Sequence, residues 1–178
     1  MDMGLTITAY SKVTLVCAIG AREFDGNREA QSLAGYDSHT FLYQDGERPQ
    51  SDGMADGVYS TDGKGFEFEA GSYGGYGAWR NELAEMMLGK SAEDVWTMCN
   101  APATEAKSEA ERMLPFLELI NFSDCEGFIG PKTCAKLSAD FANNQKKANG
   151  GDKHFRKRYA EWRKAFAIAS EGGVVKFH

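Results

Sequence analysis

The chain has 178 residues, 42% hydrophobic and 26% charged. That balance suits one soluble, globular domain over residues 1–178, not a disordered chain, and a chain of this size needs neither disulfides nor metal to fold. Its 20 Lys+Arg stand against 26 Asp+Glu, a formal net charge of -6, which argues against general nucleic-acid binding and against docking on an anionic membrane.

Leu5, Ile7 and Ala9 alternate with Thr6, Thr8 and Tyr10, the period of two that marks a half-buried strand. Val13 to Ile19 is a second, more apolar strand candidate, and Ala21 to Ala34 is polar with a turn signal at Asp25-Gly26-Asn27. His39 to Gln44 is aromatic and β-branched and suits an edge strand. Asp45 to Gly65 is loop-like, with repeated Asp-Gly pairs and Val58-Tyr59-Ser60 as a short strand between two of them. Gly65 to Ala70 alternates again, Phe66 and Phe68 against Glu67 and Glu69.

The period then changes. Tyr76, Trp79, Leu83, Met86 and Met87 fall at helical spacing, with Gly89 as a stop. Ser91 to Asp94 resembles a capping box opening a helix through Met98. Thr104 to Leu114 favours helix until Pro115, Phe116 to Phe122 is apolar enough for core, and Ser123 to Gly130 reads as a loop before a helix begun by Pro131. Cys134, Leu137 and Phe141 form an apolar stripe. Asp152 caps a last helix with Phe155, Tyr159, Trp162, Phe166 and Ala169 inward, and Val174 to Phe177 follows Gly172-Gly173 as a terminal strand. The expected class is α+β: a mainly antiparallel sheet from the N-terminal part and the C-terminal strand, with helices from residues 76–170 packed on one face.

Two segments invite a ligand. Gly71-Ser72-Tyr73-Gly74-Gly75-Tyr76-Gly77 joins a strand to a helix. Glycines admit close approach to backbone N–H groups, and a helix start favours phosphate. Tyr73 and Tyr76 offer rings for a base, and Arg80 follows one turn on, although Tyr76 with Trp79 equally suits the core. The pattern is neither a P-loop nor a dinucleotide fingerprint. The second segment, Asn121 to Pro131, holds Ser123, Asp124 and Glu126 between apolar residues. Its carboxylates suit a cation, a ribose hydroxyl pair, an adenine amino group or acid–base work, or simply the cap of the helix at Pro131. His178 either completes such a pocket or is a tail. The basic residues between Lys146 and Lys164 suit a phosphate-bearing ligand or an acidic partner, or simply the solvated side of a helix. Cys17, Cys99, Cys125 and Cys134 form no CxxC pair; a zinc site from Cys125 and Cys134 with His154 or His178 has unusual spacing, so no metal, cofactor or catalytic residue is assigned.

Met3-Gly4-Leu5-Thr6-Ile7-Thr8-Ala9-Tyr10 resembles the start of a set of uncharacterised phage and prophage proteins that begin with a Met-Gly-Leu-Asp-Ile-Thr-Ala-Tyr type strand. Agreement extends to Gly71–Leu83, Leu119–Gly130 and the ending Gly172 to His178; Thr6 departs, standing where that family carries an acid. The resemblance implies a phage accessory product, with an anti-defence use, acting in the cytoplasm of a bacterial host. No run approaches the roughly 20 apolar residues of a membrane span and no secretion signal opens the chain, which agrees with that compartment. The expected function is non-catalytic binding of a small nucleotide-type ligand by Tyr73, Gly74, Gly75, Tyr76, Arg80, Ser123, Asp124, Glu126 and His178. The alternatives are an acidic inhibitor of a host defence protein, mimicking nucleic acid, and a nucleotide-processing hydrolase or transferase using Asp124 or Glu126. A homo-oligomer is compatible with each.

Overall fold

The period-two pattern at the start of the chain forms β1, Gly4–Tyr10, with Leu5, Ile7 and Ala9 fully buried. The computed structural model describes residues 4–18, 40–43, 49–100, 113–122 and 127–178. Within these, β2 is Thr14–Ala18, β3 Thr40–Tyr43, β4 Gly57–Ser60, β5 Gly65–Ser72, β6 Gly127–Ile129 and β7 Val174–Phe177. The helices are α1 Tyr73–Leu88, α2 Ala92–Asn100, α3 Leu117–Ile120, α4 Pro131–Asn143, α5 Gln145–Ala148 and α6 Lys153–Ala169. The expected helix at Thr104 to Leu114 and the polar stretch from Ala21 to Ala34 lie outside the described residues, apart from the non-helical Met113 and Leu114.

The class is α+β. The main sheet has the order β5-β1-β7-β6 and every neighbouring pair is antiparallel, so the first and last strands lie side by side at its centre. Two departures from the expected layout concern strands. Strands β2, β4 and β3 leave the main sheet and form a three-stranded sheet of their own. Residues Gly127–Ile129, expected as loop, pair with β7 as its outer neighbour; three residues are too few to show a period.

Helices α1 and α6 pack on the main sheet. Phe68 of β5, Phe177 of β7, Tyr76 and Trp79 of α1 and Phe166 of α6 surround Trp162, with ring centroids 5.1–6.0 Å from its own. Helix α4 carries its Cys134, Leu137 and Phe141 stripe against α6. The other face of the main sheet is partly covered by a small cluster of Tyr59, Phe128 and Val174, with Tyr10, Val13 and Met54 against it. Gly173 explains how closely the chain returns: a side chain there would collide with the backbone of Tyr10 and Ser11.

Helix ends follow the sequence signals. Asp152 accepts from the Phe155 N–H at 2.8 Å. Ser91 and Asp94 exchange side-chain to backbone hydrogen bonds, both 3.0 Å, as a capping box does. Gly89 stops α1 at φ 67°. No helix among the described residues is long and apolar enough to cross a membrane.

Candidate functional site

Strand β5 runs straight into α1, so the tyrosine-glycine segment is the first turn of a helix and not an open loop. Ser72 caps it, its hydroxyl accepting from the Gly75 N–H at 3.1 Å; that donor is therefore already paired. Tyr73 is exposed, and nothing lies within 4 Å of where a side chain at Gly74 would begin. Tyr76 is only 1% exposed. Its ring sits among Trp162 and Phe177, and its hydroxyl donates to the Phe122 carbonyl at 2.8 Å. The core therefore holds the ring that was expected to stack on a base.

Arg80, one turn later, reaches the same neighbouring segment. Its Nη1 donates to the Ile120 carbonyl at 2.6 Å, and its guanidinium lies 5.2 Å from the Tyr76 ring centre. The segments containing Tyr76 and Asn121 thus meet directly, through two side-chain bonds to the Ile120 and Phe122 carbonyls on either side of Asn121. What holds that backbone in place is α3. Phe116 precedes it at φ 64°, a left-handed conformation that costs a bulky residue roughly 1–3 kcal/mol. The Asp140 carboxylate accepts the Phe116 N–H at 2.8 Å, and the ring packs on Phe141 at 4.9 Å, which keeps the strained turn.

Beside Arg80 a cleft of about 260 Å³ is lined by Arg80, Ala92, Glu93 and Trp96. It exists because Asn81 of α1 accepts the Ala92 N–H at 2.9 Å and fixes the start of α2 against α1. Val95 of α2 turns into the core, which leaves Trp96 48% exposed over the cleft. The Arg80 Nε is buried without a hydrogen-bond partner among the described residues. An indole face, a guanidinium and a carboxylate thus border one hollow, able to stack, to meet an anion and to accept from a hydroxyl or amino group.

No protein-family model, no curated protein and no solved structure matches this chain. Geometry alone therefore carries the description of the site.

The structure brings Arg80 and Tyr76 together and leaves Tyr73, Gly74 and Gly75 at the exposed start of α1. Ser123, Asp124, Glu126 and Cys125 lie outside the described residues. His178 stands apart from Arg80. Phe177 points into the helical core, and His178, the next residue, faces the opposite side of the main sheet, where its Nε2 lies 2.8 Å from the Thr8 hydroxyl. Glu93 and Trp96 were missed by sequence reasoning. The available signal was a tryptophan on the polar side of a short capped helix, next to Val95 on its apolar side. Cys134 is a core thiol that donates to the Ile129 carbonyl at 3.2 Å, and burial raises its pKa well above the usual thiol range.

Proposed function

We propose that the chain is a phage accessory protein that binds a small nucleotide-type ligand without converting it, with the cleft between α1 and α2 as its seat. The observation that carries this reading is the shared lining of that cleft by the exposed Trp96 and by Arg80. A base stacked on the indole contributes about 1–3 kcal/mol. A guanidinium carries five N–H donors, and Arg80 directs one of them to Ile120. Phosphate suits those of the rest that border the cleft, the Nε–H being buried. Glu93 accepts from an amino group or a ribose hydroxyl. The volume sets the size. At about 260 Å³ the cleft falls just below the usual range of small-molecule pockets, roughly 300–1,000 Å³, which favours a mononucleotide, partly in solvent, over a larger dinucleotide. Withdrawal of a host signalling nucleotide asks only for affinity, and the resemblance to phage proteins supports that use.

The test uses tryptophan emission. Of the three tryptophans, Trp79 and Trp162 are buried and Trp96 is exposed. Adenine and guanine mononucleotides and their cyclic forms are titrated as probes. The expected result is quenching and a raised Tm with at least one probe, recovery of that probe intact by mass spectrometry, and loss of quenching in Trp96→Ala with the fold retained. Absence of quenching and of thermal shift with every probe overturns ligand binding. Recovery of an altered probe overturns the non-catalytic reading.

A further inference from the structure

The face of the main sheet turned away from the helices carries a second group of polar side chains, independent of the cleft. Strand register sets them in rows. Glu69, Thr6 and His178 form one row: Thr6 pairs with Glu69, and Thr6 and His178 exchange backbone hydrogen bonds of 2.8 and 3.0 Å. Glu67, Thr8, Lys176 and Phe128 form the next row. Tyr59, Phe128 and Val174 close one end of this face, while Glu67, Glu69 and His178 stay exposed.

Thr8 is the pivot. It is 8% exposed, and its hydroxyl lies 3.2 Å from Glu67 Oε2 and 2.8 Å from His178 Nε2. A hydroxyl has one proton to give, and a carboxylate only accepts. Thr8 therefore donates to Glu67, and His178 Nε2 carries its own proton and donates to Thr8. In the neutral ring this leaves the Nδ1 lone pair unprotonated, with no hydrogen-bond partner among the described residues. Lys176 lies two residues before His178 on the same strand and face, about 7 Å along it, with its ammonium 5.8 Å from the centre of the Phe128 ring.

We propose that this face is an acid–base site for hydrolysis of an uncharged acyl ester, with His178 as proton acceptor and Glu67 and Thr8 as positioning residues. The Nδ1 lone pair takes a proton from water as the water oxygen adds to the acyl carbon. The carbonyl electron pair moves onto its oxygen, where solvent meets the developing charge. Collapse of that intermediate breaks the ester C–O bond, and the proton held by His178 passes to the departing oxygen. Ester and water thus become acid and alcohol. Two exposed carboxylates beside the imidazole repel a multiply charged phosphate, which selects the uncharged acyl group. Burial and the neighbouring Lys176 lower the imidazole pKa, against Glu67 and Glu69, so the acceptor form is present at neutral pH.

The test uses the full chain with p-nitrophenyl acetate as probe and nitrogen NMR of the histidine rings. The expected rate exceeds that of an equal concentration of free imidazole and falls about 10²-fold or more in His178→Ala, the scale of general-base catalysis. His154→Ala, an exposed histidine on α6, leaves it unchanged. Thr8→Val removes the hydroxyl and is expected to lower kcat by roughly tenfold with KM unchanged and to scramble the Nδ1-unprotonated tautomer expected of the native chain. A rate no greater than free imidazole, a rate that survives His178→Ala, or a native Nδ1–H tautomer each overturns the proposal, and the last of these is read without any variant.

Discussion

The Tyr76 hydroxyl and the Phe122 carbonyl form a buried donor–acceptor pair, 2.8 Å apart. Tyr76→Phe keeps the ring among Trp162 and Phe177 but leaves that carbonyl short of a partner. The expected loss is about 1–3 kcal/mol, read as a lower urea midpoint with an unchanged m-value. A loss near zero means that water reaches the carbonyl. His178 gives a pH-dependent expectation. Burial first, then the Lys176 ammonium, hold its pKa below the ordinary 6.5, with Glu67 and Glu69 pulling the other way. The unfolded chain then binds this proton more readily than the folded one. The contribution of His178 is present in full above the ordinary value and is lost as pH falls through the folded one. Unfolding measured across about pH 5 to 7, the range in which imidazoles titrate, should show a steeper fall on the acid side for the native chain than for His178→Gln. Equal slopes would mean that the imidazole titrates alike in both states.

At the scale of the element, α4 shows a cap supplied from elsewhere. Pro131 opens the helix and Gly130 precedes it, so the local sequence has no capping side chain. Asp52 supplies one, accepting from the Thr133 N–H at 2.8 Å and from the Thr133 hydroxyl at 2.9 Å. Asp52 holds a left-handed conformation, φ 58°, which aspartate and asparagine tolerate better than other residues. A side chain at Gly130 would strike the Ser51 carbonyl, so the approach is close. Asp52→Ala should cost about 1–2 kcal/mol through the lost cap, with added backbone strain, whereas Asp52→Asn should retain most of the stability. Chemical denaturation of both variants separates these outcomes; equal losses would assign the effect to charge. This cap also marks what a sequence reading can reach. The caps of α2 and α6 lie within three residues of the groups they bind, and their spacing announces them. Asp52 and Thr133 are 81 positions apart, and nothing local connects them. Strand β6 hides for a related reason, since pairing with β7 defines it and its own pattern does not.

For the whole molecule, the main sheet separates the cleft beside Arg80 from the Glu67, Thr8 and His178 row. Alternation along β1, β5 and β7 was legible, and with it which side chains share a face. That Thr8, Glu67 and His178 converge was not, because three strands distant in sequence must be placed side by side first. The cleft was half legible: Arg80 stood out, while Trp96 became meaningful only once α1 and α2 were docked. The two exposed and buried tryptophan environments give the last prediction. Trp162 touches Phe68, Tyr76, Trp79, Phe166 and Phe177, and so joins β5, α1, α6 and β7. Removing it leaves a void that flat aromatic neighbours cannot collapse to fill, a loss of about 3–5 kcal/mol. Native domains of this size hold about 5–15 kcal/mol in all. Trp162→Ala should therefore lose near-ultraviolet dichroism and much of its urea resistance, while Trp96→Ala stays within about 0.5 kcal/mol of the native chain, as expected for a surface position. A large loss in Trp96→Ala would make that residue part of the packing between α1 and α2, and the cleft would no longer present a free ring for stacking.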